Sequence, residues 1–243
     1  MKPSLPPSAG FYKGLRDGFP ICLGYLSVSF AFGIAVVGAG LPAWTAVLIS
    51  MTNVTSAGQL AGLTVIAGGG SLIEMALTQL VINLRYALMS FSLTQKLSPR
   101  FHLPSRLAVS FMVTDEIFAV AASQPGEVSR RYMLGLSLAP YLGWAGGTLV
   151  GAVAGGVLPS SVVSALGVAI YGMFIAIVIP AAKRFKNVLG VAGAAVVVSC
   201  LFHFTPGLCR LSDGFIIIIS AVAASLFGAL LWPMREAKGD APQ

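Results

Sequence analysis

Thr114-Asp115-Glu116 sets two carboxylates side by side within Leu107–Ala122, a run whose other side chains are apolar or small and uncharged. Carboxylates can exchange protons, pair with a base or hold a substrate's ammonium group. At bilayer depth a charged side chain costs about 2.5–3.5 kcal/mol, so acids in such a run face a cavity, a partner or a transport path. Neighbouring residues sit about 100° apart around a helix and cannot both point the same way. One acid therefore faces the path while the other pairs with a base or reaches the interface, and Asp115 is the one expected on the path.

The third apolar stretch offers the counterpart. Thr78 and Arg85 are seven residues apart, and Gln79, Asn83 and Tyr86 fill an adjoining stripe behind Glu74, so one helix face is polar. Such a face lines a cavity or packs on another polar segment, and Thr114-Asp115-Glu116 is the natural one. An ion pair from Arg85 to Asp115 or Glu116 would lower the burial cost of both partners, whether it serves a substrate or only fixes helix register. Glu74, after Gly68-Gly69-Gly70-Ser71, suits a helix N-terminus at the membrane edge. His203 could relay protons or simply pack near an interface. Trp144, Trp232 and several tyrosines fit interfacial belts, packing or ligand contact.

These residues have meaning only if the surrounding runs lie in a membrane. Of 243 residues, 56% are hydrophobic and only 9% charged, with a mean hydropathy of +0.88. Ordinary soluble chains are about 25% charged. The chain is therefore an integral membrane protein in contact with a lipid bilayer. Its apolar runs are Phe19–Ala39, Trp44–Ala67, Leu72–Leu93, Leu107–Ala122, Tyr132–Leu158, Val162–Ala182, Val188–Phe204 and Gly214–Trp232, most of them near the roughly 20 residues a helix needs to cross. Strict alternation is absent, which argues against a β-barrel. The expected fold is all-α, a polytopic transmembrane helix bundle of seven or eight membrane segments with one or two broken or re-entrant helices. Residues 1–18 read as a cytoplasmic N-terminal tail, 19–232 as a single transmembrane transporter domain and 233–243 as a cytoplasmic C-terminal tail. The 18 residues and three prolines ahead of the first run argue that it is retained rather than cleaved as a signal peptide.

A net charge of +7 would suggest nucleic acid in a soluble protein. Here the basic residues lie between apolar runs and read as cytoplasmic loops, with no nucleic-acid partner. Lys13 and Arg16 put the N-terminus in the cytoplasm, and Arg130-Arg131, Lys183-Arg184-Lys186 and Arg235/Lys238 agree if eight segments cross. Lys96, Arg100 and Arg106 then face outward. The conflict vanishes if two segments dip in and return on one side: the fourth, the shortest, and one of the first three. The second segment is the most interrupted, by Asn53-Val54-Thr55-Ser56-Ala57-Gly58-Gln59. It is either a broken helix of the kind that builds transporter sites or a continuous helix with small residues for close packing.

Gly18-Phe19-Pro20 leading to Gly40-Leu41-Pro42 is echoed by Leu138-Ala139-Pro140 leading to Val157-Leu158-Pro159. If this is a duplication, its halves are 14–122 and 131–232, in parallel orientation. Gly143, Gly147, Gly151 and Gly155 recur every four residues, which bares one helix face for close packing on a helix of this chain or of another subunit. Cys22, Cys200 and Cys209 have no metal-ligand spacing and read as reduced packing residues. No metal or other cofactor is expected. Zinc, nucleophile-elbow, Walker and dinucleotide motifs are missing, so the chain is not expected to be an enzyme.

Several of these segments resemble the AzlC family of branched-chain amino acid permeases. The resemblance rests on Ser56-Ala57-Gly58-Gln59, Asn83-Leu84-Arg85-Tyr86, Thr114-Asp115-Glu116-Ile117-Phe118-Ala119 and Tyr141-Leu142-Gly143-Trp144 with its glycine run. It covers the first two thirds of the chain; the last three segments carry no matching motif. Thr55-Ser56 departs from the Phe-Ala-Gly usual there. The resemblance implies a bacterial cytoplasmic-membrane exporter of leucine, isoleucine, valine or similar small aliphatic amino acids. It also implies a small AzlD-type membrane subunit, which would suit the glycine face. Asp115 or Glu116 would couple a proton, while Arg85, Asn83, Gln59, Ser56 and Thr114 shape the substrate site. The competing readings are a non-transporting assembly subunit and a passive pore.

Overall fold

Phe11–Gly38 forms one long helix, α1, in a computed structural model that describes residues 10–98, 101–159, 161–162, 175, 178–180, 182–205 and 211–233. It is followed by α2 (Ala43–Thr52), α3 (Ser56–Ala67), α4 (Leu72–Thr94), α5 (Leu103–Phe111), α6 (Asp115–Ser123), α7 (Arg130–Gly155), α8 (Lys186–Phe204) and α9 (Asp213–Leu231). The all-α expectation holds, and α1, α4, α7, α8 and α9 are each long and apolar enough to cross a membrane. α1 begins eight residues before the apolar run, with Phe11 to Gly18 extending the helix into the polar end. Most of the sixth run, Cys209 and residues 1–9 and 234–243 lie outside the described residues. The chain forms two compact units, residues 1–63 with 82–173 and residues 64–81 with 174–243.

The first unit is organised on α1 and α7. An ideal Cβ would collide with Cys22 at Gly143, with Leu26 at Gly147 and with Phe30 at Gly151, and would lie 3.3 Å from Ile34 Cα at Gly155. From the other side, one on Gly14 would overlap Tyr132, and one on Gly33 would overlap Thr148. Residue numbers rise together along both helices, so the pair is parallel and in backbone contact. Small residues permit this approach, and close van der Waals packing drives it where lipid offers no hydrophobic incentive. The glycine face is therefore filled by α1 of the same chain. Of the two occupants the glycine spacing allows, a helix of this chain or one of another subunit, the structure has the first.

Two helical hairpins enter this frame from opposite ends. Ala46 in the first turn of α2 and Leu63 near the end of α3 share one core cluster with Phe32, Val36 and Ala152, at the C-terminal ends of α1 and α7. Between them the chain dips until Val54 packs with Tyr25 and Trp144. The segment enters and leaves at the same level. Its break at Asn53-Val54-Thr55 falls in the stretch of weak helix formers.

The fourth segment does the same from the other end. α5 and α6 are separated by Met112-Val113-Thr114. Lys96, after α4, donates to Ala122 O and, at 2.7 Å, to Gln124 O, while Lys13 in α1 donates to Gln124 Oε1 at 2.7 Å. Leu97 pairs with Val128 as an isolated bridge, so both ends of the hairpin sit beside the start of α1. Val109, Val113, Ile117 and Ala121 line its inner face and pack with Leu93, Tyr132, Met133 and Leu136. The hairpin brings Lys96 and Arg106 to the end that holds Lys13, Arg16, Arg130 and Arg131. That placement removes the charge conflict seen when all eight segments were taken to cross.

In the second unit, Ser199 of α8 donates to Ser220 Oγ of α9 at 3.0 Å, and Trp232 packs over Gly190. Glu74 is buried in the first turn of α4, where Oε1 accepts from Gly214 N at 3.0 Å. The carboxylate thus serves the N-terminus of its own helix and that of α9. His203 is exposed and stands edge-on to Phe204.

Candidate functional site

The tips of the two hairpins converge about half way along α1, and Tyr25 is the residue that joins them. Its hydroxyl donates to Glu116 Oε2 at 2.5 Å and meets Thr114 Oγ1 at 2.6 Å. Its ring belongs to the cluster that contains Val54 of the first tip. Tyr141 does the same from α7: its hydroxyl donates to Met51 O at 3.0 Å, near the end of α2, and its ring meets Phe111 at the end of α5. A tyrosine in an apolar helix needs a partner for its hydroxyl, and a helix break at this depth supplies the freed groups.

Thr114 is the N-cap of α6, accepting from Ile117 N through its hydroxyl. Asp115 and Glu116 fill the first turn, where negative charge offsets the positive helix end. They diverge as expected of neighbours. Asp115 Oδ2 lies 2.9 Å from Arg85 Nη2, with the two side chains 46% and 51% exposed. Arg85 also donates to Tyr86 Oη at 2.8 Å and stacks on its ring. Glu116 has no basic partner among the described residues and is held by Tyr25. The sequence favoured Asp115 as the acid facing the path. In the structure Asp115 is the acid that pairs with Arg85, and Glu116 is the acid that Tyr25 holds.

Gln59 is only 1% exposed and belongs to a closed ring of hydrogen bonds. Trp144 Nε1 donates to Gln59 Oε1 at 3.0 Å, and Gln59 Nε2 donates to Ser50 Oγ at 2.9 Å. Ser50 and Thr148 hydroxyls are 2.7 Å apart, and Thr148 donates to Trp144 O at 3.0 Å. The ring fastens α2 and α3 to α7 and touches the acid site through Tyr25, whose ring stands edge-on to Trp144 at 5.0 Å. Ser56 starts α3 and is part-buried, and Asn83 is part-buried on α4 one turn before Tyr86. Gln79 and Glu74 belong to other surroundings.

Tyr25, Ser50 and Thr148 are not among the residues the sequence singles out, and Tyr141 enters there only within the Tyr141-Leu142-Gly143-Trp144 motif. Thr148 carried a usable signal, lying four residues after Trp144 and so one turn along the same face. Tyr25 carried one too, as a phenol amid an apolar run. No groups of three or more potential metal-ligating side chains occur among the described residues.

Residues 20–158 match the family model described as AzlC protein, a stretch that holds both hairpins, α1 from Pro20 onward and all of α7. The chain is similar to an uncharacterized membrane protein of Archaeoglobus fulgidus, 34% identical over 94% of this chain and 96% of that one. It is also similar to the inner membrane protein YgaZ of Escherichia coli, 31% identical over 79% and 80% of the two chains. An uncharacterized membrane protein of Helicobacter pylori is 28% identical over 60% and 66%. No solved structure matches.

Proposed function

The chain belongs to the AzlC family of membrane proteins, and from that premise we propose that it is a transporter subunit exporting branched-chain or similar small aliphatic amino acids. The observation that carries this reading is the meeting of two hairpin tips at Tyr25, beside Glu116, Asp115 and Arg85. Broken helices that expose their ends at mid-depth are how transporters build substrate sites. A zwitterion suits the electrostatics. The first turn of α3 carries no acid, so the helix dipole there favours a carboxylate, whereas α6 begins with two acids that favour an ammonium group. Glu116 is the acid we assign to proton exchange, with Asp115 held by Arg85 beside it. Gln59 and Thr114 position the tips, and Ser56 and Asn83 border the site.

In this reading the protein is no enzyme. It resides in the cytoplasmic membrane with its basic end inward and works with a small AzlD-type subunit. YgaZ is named as an inner membrane protein, which supports that location. The test is leucine counterflow in proteoliposomes holding the chain and its co-expressed partner. Uptake of labelled leucine driven by unlabelled leucine inside is expected, and its collapse in Glu116→Gln. A wild-type protein that shows no exchange with leucine, isoleucine or valine would sink the reading.

The half-exposed Arg85–Asp115 pair also favours a second reading, in which this face assembles with another membrane subunit that carries the path. Stable purification of the chain alone with saturable leucine binding would exclude it.

A further inference from the structure

We propose that Tyr25 is a positioning residue that couples the two hairpins, its hydroxyl moving between Glu116 and Thr114 as Glu116 gains or loses its negative charge. Its place in a transport cycle rests on the reading above; the coupling itself is a property of the fold. A phenol has one proton to donate and can also accept; the Tyr25 hydroxyl lies 2.5 Å from Glu116 Oε2 and 2.6 Å from Thr114 Oγ1, a hydroxyl that donates to it while Tyr25 serves Glu116 and accepts from it otherwise. An ionised carboxylate is the stronger acceptor, so it holds the proton while Glu116 is charged. Once a proton or a substrate ammonium group neutralises Glu116, Thr114 competes. The hydroxyl then has two discrete partners, which is the kind of bistable element a switch requires.

The ring transmits the choice. Tyr25 is nine-tenths buried, with an edge-on contact to Trp144 at an interplanar angle of 73°. Trp144 holds Gln59, and through it the first hairpin. The first effect of a change of acceptor is rotation of the O–H about its C–O bond, and any shift of the hydroxyl end that follows is felt at Trp144, because the close-packed α1–α7 contact fixes the backbone of both. The charged and titratable groups around Glu116 are Asp115 on its own helix, Tyr25 on α1, and Arg85 and Tyr86 on α4. Tyr25 is the one whose side chain also reaches the other tip's cluster.

The test is a double-substitution cycle read at the first tip. Thr55→Cys is introduced after Cys22, Cys200 and Cys209 are replaced by alanine, and its rate of modification by a thiol reagent is measured in membranes. Glu116→Gln is expected to change that rate by about fivefold or more, the scale of a typical coupling between sites. In a Tyr25→Phe background, which keeps the ring and its contact with Trp144, the same substitution should leave the rate unchanged. An equal change in both backgrounds, or no change in either, overturns the proposal. Leucine counterflow separates the two claims. A wild type without exchange sinks the transport reading while the labelling still judges the coupling. A Tyr25→Phe protein that matches an active wild type in maximal rate and pH profile overturns the coupling role. The expected result is a lowered maximal rate with the KM for leucine and the thermal melt little changed.

Discussion

Arg85 and Asp115 face one another from α4 and the first residue of α6, Nη2 to Oδ2 at 2.9 Å, both about half exposed. The pair ties the tip of the second hairpin to a long helix. Removing Arg85 alone leaves an uncompensated carboxylate at membrane depth. Arg85→Ala and Asp115→Asn should each lower stability by about 1–2 kcal/mol, less than a fully buried pair because exposure screens the charges. The double substitution should recover much of that loss. Thermal melts in detergent check it, and strictly additive losses would show that the two groups do not interact.

Gln59→Leu leaves Trp144 Nε1 without its acceptor and takes from the Ser50 hydroxyl, still bonded to Thr148, the donor it accepts from, in a buried setting. The expected cost is about 1–3 kcal/mol, with leucine exchange lost through misplacement of the first tip. Gln59→Glu keeps an acceptor for Trp144 but not the donor to Ser50, so it should fall between the two. A Gln59→Leu protein as stable and active as wild type would contradict a role for the ring in placing the tip.

Gly151→Val should separate α1 from α7, since even a Cβ there would overlap Phe30 O. A loss of about 3 kcal/mol, the upper range for overpacking, or failure to accumulate in the membrane, is expected. Gly146, on the same helix, has open space where a Cβ would stand, and Gly146→Ala should behave as wild type. Equal tolerance at both positions would disprove the packed face.

Single cysteines at Gln95 and Glu127 should react with an impermeant reagent from the same side of the membrane, and one at Ala39 from the opposite side. If α5 and α6 together crossed the bilayer, Gln95 and Glu127 would label from opposite sides.

Much of this arrangement was legible because membrane physics constrains sequence strongly. Apolar length gave the helices, and the misplaced charges of Lys96 and Arg106 required a segment that returns, which the structure supplies with α5 and α6. Asn53 to Ser56 marked the break in the second segment through weak helix propensity. What could not be read was which acid Arg85 would take. Both lay within reach on a helix of unknown rotation, and the choice depended on where the Thr114 cap started α6. The occupant of the glycine face was equally hidden, since a bare stripe fits any helix and only the parallel register of α1 selects one. Tyr25 looked like any tyrosine in an apolar run until a helix break from elsewhere in the chain brought Thr114 and Glu116 to its hydroxyl.

The ring through Trp144, Gln59, Ser50 and Thr148 has a sense of rotation. An indole nitrogen can only give its hydrogen and a backbone carbonyl can only receive one, so every link points the same way around and none can reverse alone. The first hairpin is thus fastened by a clasp that opens all at once or stays shut.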